Sequence, residues 1–154
     1  MDLRTVRIPA SGRTVHYYRA GQGQPLLYLH HVAGLAGFEP ALARLAESFD
    51  VIAPFAPGWG PSKDDLEAID RGPLDLTLHH GDLLEALGLE SANVVGISIG
   101  AWMAYGLADV VNQRRMIDES PAGEEFKTAL RGKLDALLGL AEATDCRRVR
   151  LLAY

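Results

Sequence analysis

The reactive chemistry of this chain centres on Ser98, in Gly96-Ile97-Ser98-Ile99-Gly100 at the end of the β-branched run Asn93-Val94-Val95. The glycines Gly96 and Gly100, two residues either side of the serine, leave room for a sharp strand-to-helix turn. Such a nucleophile elbow holds its serine in a strained backbone conformation with the hydroxyl at the sheet's edge. The amide of the next residue, Ile99, then faces a developing oxyanion. This arrangement suits attack of the hydroxyl on an acyl carbon, and it needs a base to take the hydroxyl proton. Five histidines are available, His16, His30, His31, His79 and His80, and all precede Ser98. His30 and His31 are the candidates for a base beside the elbow, which must come within about 3 Å of the hydroxyl. A loop-structuring role is the plainer reading for both. His79 and His80 read as helix-surface residues, and Trp59 and Trp102 as packing residues.

Strands and helices must position these groups. Residues 5–9 and 14–18 read as a hairpin turned by Ser11-Gly12. Leu26-Leu27-Tyr28-Leu29-His30 is a continuous apolar run of the kind found in strands buried on both faces. It ends in the loop 31–37. A helix follows, with Pro40 in its first turn and Leu42, Leu45 and Ala46 on one stripe. Val51-Ile52-Ala53-Pro54 leads into the turn Pro57-Gly58-Trp59-Gly60-Pro61-Ser62. Residues 63–72 are acidic and loop-like, and residues 74–87 read as a helix stopped by Gly88. Beyond the elbow, Met103, Leu107, Val110, Val111 and Ile117 predict a helix running to about Ser120 before Pro121. The stripe from Phe126 to Ala141 predicts a second helix, and Asp145 can cap a third over residues 146–154. Strands alternating with helices imply parallel pairing.

Composition bounds the reading. A chain of 154 residues, 48% hydrophobic and 23% charged, is long enough to bury a core. Its net charge of −5 argues against general nucleic-acid binding. Residues 1–100 carry 7 basic and 12 acidic residues, whereas residues 101–154 carry 8 of each, so the balance shifts near residue 100. The one cysteine, Cys146, has no internal disulfide partner and no Cys/His cluster around it, so neither a metal nor another cofactor is expected. Early arginines, Arg4, Arg7 and Arg13, argue against a signal peptide, and no apolar run approaches the roughly 20 residues of a membrane span. The expectation is a soluble, cytoplasmic protein.

The hairpin, the His30 loop, the Gly58-Trp59-Gly60-Pro61-Ser62 turn and the Ser98 elbow together resemble the amino-terminal half of the α/β-hydrolase family, over about residues 3–104. The resemblance implies Ser98 as nucleophile, with the amides of Ile99 and of Val32 forming the oxyanion hole. Two positions depart from the family pattern. His31 stands where the family usually has glycine, and Phe55 where it often has aspartate. The larger departure lies downstream, where the family places the acid and histidine of its triad. Asp109, Asp118, Asp135 and Asp145 follow Ser98, but on stretches that read as helix or helix cap, and no histidine follows it.

The stretch 101–154 resembles the RecQ family of DNA helicases instead. The similarity is carried by Ala101-Trp102-Met103-Ala104-Tyr105-Gly106-Leu107-Ala108-Asp109-Val110-Val111, by Arg114-Arg115-Met116-Ile117 and by Cys146-Arg147-Arg148-Val149-Arg150-Leu151-Leu152-Ala153-Tyr154. Cys146 would match the first of four zinc cysteines, and the other three are missing. The expected fold is α/β: a partial, mostly parallel α/β-hydrolase-like sheet with flanking helices over residues 1–104, followed by a helical tail over residues 105–154. Three functional classes follow. One is a serine hydrolase acting on a small acyl or ester substrate, absent or residual without its base. The others are an interaction or DNA-contacting helical module, and a fusion with inherited motifs and no selected activity. Ending the α/β part at Gly100 leaves β-strand 93–95 near an unpaired edge, so self-association is expected, opposed by partial cover from the tail. No membrane partner is expected.

Overall fold

The computed structural model describes residues 3–37, 39–69 and 73–141. Strands β1 (Leu3–Arg7) and β2 (Thr14–Ala20) form an antiparallel hairpin with Val6 opposite Val15. Its turn is closed by the Ile8 amide on the Arg13 carbonyl at 2.8 Å. β2 runs antiparallel to β4 (Phe49–Pro54), which is parallel to β3 (Gln24–Leu29), which in turn is parallel to β5 (Asn93–Gly96). The order is β1-β2-β4-β3-β5, a mixed sheet whose parallel portion is β4-β3-β5. β5 is an edge strand.

Among the described residues α1 (Pro40–Leu45), α2 (Pro73–Ala86) and α3 (Ile99–Asp118) flank this sheet, and α4 (Glu124–Ala141) packs against α3. The apolar runs of β3 and β4 are buried on both faces, as expected of central parallel strands. Leu27, Leu29 and Ile52 pack with Leu76 and Leu83 of α2 and with Met103 and Leu107 of α3. On the other face Leu26, Tyr28 and Val51 pack with Leu42 of α1. Arg19 of β2 forks onto the Asp50 carboxylate of β4, at 2.9 Å from Nε and 2.6 Å from Nη2.

Several local expectations change. Instead of a plain loop, Gly60–Ile69 forms tight 3-10 turns kinked at Ser62 and Asp65. His79 and His80 are not surface residues, being only 8% and 1% exposed. The reason is spacing: Leu76 and Leu83 of α2 face the core, and positions 79 and 80 fill the same stripe between them. His80 tolerates burial because its Nδ1 pairs with the Leu76 carbonyl one turn earlier.

α3 runs unbroken through residues 104 and 105. Met103 and Leu107, either side of that point, lie in one core, and a Cβ at Gly106 would stand 2.9 Å from Thr77 Oγ1 of α2. α4 is held to the end of α3 by Arg131 on Asp118 at 2.7 Å and by Lys127 Nζ on the Asp118 carbonyl at 2.8 Å. Leu130 and Leu134 are half-buried, while Phe126 and Leu137 are 57% and 63% exposed. The stripe of α4 is therefore only partly covered. The expected third helix, with Cys146, Arg147, Arg148 and Arg150, lies outside the described residues.

Candidate functional site

The parallel register of β3 and β5 sets the site. Gly96 lies opposite Leu29, and the Ile97 amide extends the ladder onto the Leu29 carbonyl at 3.1 Å. The chain then reverses into α3 through Ser98, at φ 58° and ψ −120°, the one positive-φ residue other than glycine among the described residues. Backbone conformations of this kind cost on the order of 1–3 kcal/mol and persist only where the surroundings enforce them. Here the enforcement is steric. A Cβ on Gly96 would lie 2.1 Å from the Gly100 carbonyl oxygen, and one on Gly100 would lie 2.0 Å from the Leu29 carbonyl oxygen. Only glycines allow the turn to press against the end of β3. Ser98 is exposed and its side chain makes no capping hydrogen bond to α3. The Ile99 amide opens α3, and the next three amides, of Gly100, Ala101 and Trp102, turn back onto the Ile97 and Ser98 carbonyls.

The same contact brings the elbow beside the loop that begins at His30, since β3 ends there. His30 is 1% exposed and both of its ring nitrogens are engaged. Nε2 accepts the Ala56 amide at 3.1 Å, so the neutral ring carries its proton on Nδ1, which donates to the His31 carbonyl at 2.8 Å. Burial holds its pKa below the usual histidine value, keeping the ring neutral. In this arrangement neither nitrogen is free to take a proton from Ser98, and the ring serves the loop. His31 is half-buried, and its Nδ1 accepts the Ala33 amide at 3.1 Å. The His31 carbonyl also accepts the Gly34 amide at 2.9 Å.

Val32 is 65% exposed, and its carbonyl accepts the indole N–H of Trp59 at 2.6 Å. Trp59 also sets its ring edge-on against His30, with centroids 5.3 Å apart. Reading Trp59 as a packing residue missed this bond. The available signal was that the Gly58-Trp59-Gly60 turn follows β4, a parallel neighbour of β3, and so reaches the same end of the sheet. Phe55 is buried against Tyr18, and Gly60 is needed because a Cβ there would fall 2.4 Å from the Phe55 ring. Asp109, Asp118 and Asp135 lie on α3 and α4, away from any strand end. Trp102 is half exposed.

A groove of about 460 Å³ lies elsewhere, between α2 and α3, and neither Ser98 nor the His30 loop lines it. Among the described residues no group of three or more His, Cys, Asp or Glu could hold a metal ion. No helix among them is long and apolar enough to cross a membrane.

Comparison with known proteins gives two likenesses. Residues 107–154 match the family model described as RecQ zinc-binding. The chain is 30% identical to the soluble epoxide hydrolase of Corynebacterium sp. (strain C12) over 125 residues, which cover 75% of this chain and 43% of that protein. It is 32% identical to the 2-hydroxymuconate semialdehyde hydrolase of Pseudomonas sp. (strain CF600) over 139 residues, covering 86% of this chain and 48% of that one. In structure it resembles wild-type Cfl2 from Burkholderia cenocepacia, with a TM-score of 0.62 and 23% identity over 71% of this chain and 37% of the other.

The amino-terminal part is thus α/β-hydrolase-like in sequence and fold, joined to a RecQ-like segment. The chain spans under half the length of these two curated relatives. An alignment covering 86% of the chain must run into the segment that the RecQ model matches, so the two likenesses overlap. That overlap agrees with an unbroken α3. The RecQ zinc-binding likeness implies zinc, but the donor set does not fit. Structural zinc takes four Cys or His ligands. Residues 107–154 contain Cys146 and no histidine.

Proposed function

We propose that this chain derives from a serine hydrolase of the α/β-hydrolase type, keeps Ser98 as its elbow nucleophile, and has residual or no acyl or ester hydrolysis. The observation that carries the reading is the backbone of Ser98, φ 58° and ψ −120°, at a strand-to-helix turn that only glycines permit. The Ile99 and Val32 amides are the proposed oxyanion donors. The weak step is proton removal, since every histidine of these 154 residues precedes the elbow and the buried His30 is tied up at both nitrogens. In serine hydrolases, loss of the histidine costs on the order of 10⁶ in turnover and leaves about 10³–10⁴ over water from the oxyanion hole and binding.

A fluorophosphonate probe tests this directly. Labelling at Ser98 is expected to be weak or absent, and ester turnover near background. Stoichiometric labelling within minutes, abolished by Ser98→Ala, would mean that a working base is in place and would overturn the reading; His31→Ala would then be the next variant.

The RecQ match favours a second reading, a DNA-contacting module built on the helical tail. Binding through Arg147, Arg148 and Arg150 would be salt-dependent and would fall on their replacement. On an acidic chain these few arginines neutralise few phosphates, so no binding tighter than about 10 μM is expected at physiological salt. A sub-micromolar dissociation constant in a mobility-shift assay would favour the module.

A further inference from the structure

We propose that Trp59 is a positioning residue: its indole N–H, donated to the Val32 carbonyl, locks the loop whose Val32 amide would face an oxyanion at Ser98. The proposal rests on the reading of Val32 as an oxyanion donor, and it adds a restraint on the peptide that follows that donor.

The geometry follows from peptide planarity. The N–H of Val32 shares a rigid trans peptide with the His31 carbonyl and points opposite to it. Fixing the His31 oxygen therefore fixes the direction of the Val32 N–H. Two donors hold that oxygen, His30 Nδ1 at 2.8 Å and the Gly34 amide at 2.9 Å. The peptide on the other side of Val32 could still rotate about the Val32 Cα. Trp59 stops it, because the indole N–H reaches the Val32 oxygen at 2.6 Å. An exposed loop residue is thereby held through both of its peptide planes.

Trp59 is itself held in place. Its amide donates to the Ala56 carbonyl at 3.1 Å, its carbonyl accepts the Ser62 amide at 2.9 Å, and its ring rests edge-on against His30. The loop leaves a gap for that ring at Gly34, φ 80°, where a Cβ would lie 2.9 Å from Trp59 Cδ1. A glycine at that position is thus required twice, by its backbone angle and by the indole.

The test uses the full chain, with Trp59→Phe, which keeps an aromatic ring and removes the N–H, and Gly34→Ala, which should push the indole off its seat. Trp102→Phe serves as control. Hydrogen exchange followed by NMR reads the loop without any reaction at Ser98. The Trp59 indole N–H is expected to exchange at least about tenfold more slowly than that of the half-exposed Trp102. In Trp59→Phe and in Gly34→Ala the Ala33 and Gly34-position amides should exchange about tenfold faster, with the β3 and β4 amides unchanged. Ser98 labelling by the phosphonate should slow about tenfold in Trp59→Phe, less than the 10²–10³ of losing a donor outright.

Equal exchange of the two indoles, or an unchanged loop in Trp59→Phe, would overturn the clamp whatever Ser98 does. A loosened loop with an undiminished labelling rate would overturn the positioning role. Absence of any labelling in the wild type fits the missing base but leaves no rate at Ser98 for Trp59 to support, which overturns the positioning role, while the exchange measurements still decide the clamp. If Trp59→Phe does not fold, indole protection in the wild type and the Gly34→Ala loop decide it.

Discussion

The Ala56 amide donates to Nε2 of His30 at 3.1 Å, tying the end of β3 to the turn after β4 from inside the core. A histidine in a loop beside a serine invites assignment as a base, and this bond assigns it to the scaffold instead. His30→Ala would leave the buried Ala56 amide without an acceptor and the His31 carbonyl with one donor fewer. An unsatisfied buried group costs about 1–3 kcal/mol. His31→Ala, at a half-buried ring, should cost less than about 1 kcal/mol. Urea unfolding followed by circular dichroism checks both, and a His30→Ala midpoint equal to wild type would remove His30 from the scaffold.

The buried pair on α2 makes stability depend on acid. Burial lowers the pKa of His79 from the usual 6.5 to about 4, and that of the fully buried His80 to about 3. The Arg13 charge adds to the effect at His79, and the neighbouring His79 and His30 rings disfavour a further charge at His80. Below pH 6.5 the unfolded chain binds protons that the folded chain refuses. The contribution is therefore fully present above about 6.5 and is lost as pH falls toward 4 and then 3. Each histidine steepens the loss by up to about 1.4 kcal/mol per pH unit. His80→Leu, which continues the stripe of Leu76 and Leu83, should flatten the dependence by one histidine. Stability from urea curves at several pH values between roughly 4 and 7 reads it, and parallel wild-type and variant profiles would refute the assignment.

The elbow stores strain that a glycine would release. At φ 58° and ψ −120° Ser98 occupies a region that glycine adopts freely and other residues do not. Ser98→Gly is expected to stabilise the chain by about 1 kcal/mol while ending phosphonate labelling, and Ser98→Ala to end labelling with no such gain. A glycine variant no more stable than the alanine variant, judged by thermal unfolding, would mean the turn is not strained.

Most of the fold is legible in the sequence because its signals are local. The continuous runs Leu26–Leu29 and Val51–Ala53 announce central strands, and Gly96 and Gly100 around Ser98 announce a turn whose φ is positive. What is not legible depends on partners distant in the chain. His79 and His80 look polar, and only the core-facing positions of Leu76 and Leu83 reveal that they must be buried. The roles of His30 and Trp59 depend on the Ala56 amide and the Val32 carbonyl, 26 and 27 residues away. Neither bond leaves a pattern in residue types, because backbone groups occur at every position. Leu107 packs in the hydrolase-like core and Gly106 packs close to Thr77 of α2, so the start of the RecQ-like segment shares a helix with the hydrolase-like part.

The edge of the sheet sets the last expectation. Among the described residues β5 is the outermost strand beside β3, and Val95 on it and Ile97 just after it are exposed. Its outward amides and carbonyls can pair with another chain. α4 packs against α3. It is anchored to Asp118 at the far end of α3, and Phe126 and Leu137 remain exposed on it. Apolar surface is thus offered in two places, and a large side chain gains roughly 1.5–3 kcal/mol on full burial. Self-association that rises with concentration is the expected outcome. Replacing Val95 with lysine on the edge should reduce it, as charged edge residues do in monomeric sheets. Static light scattering across a wide concentration range tests this, together with deletion of residues 121–154. A strict monomer throughout, with stability and solubility unchanged by the deletion, would show that the edge needs no protection and that α4 gives none.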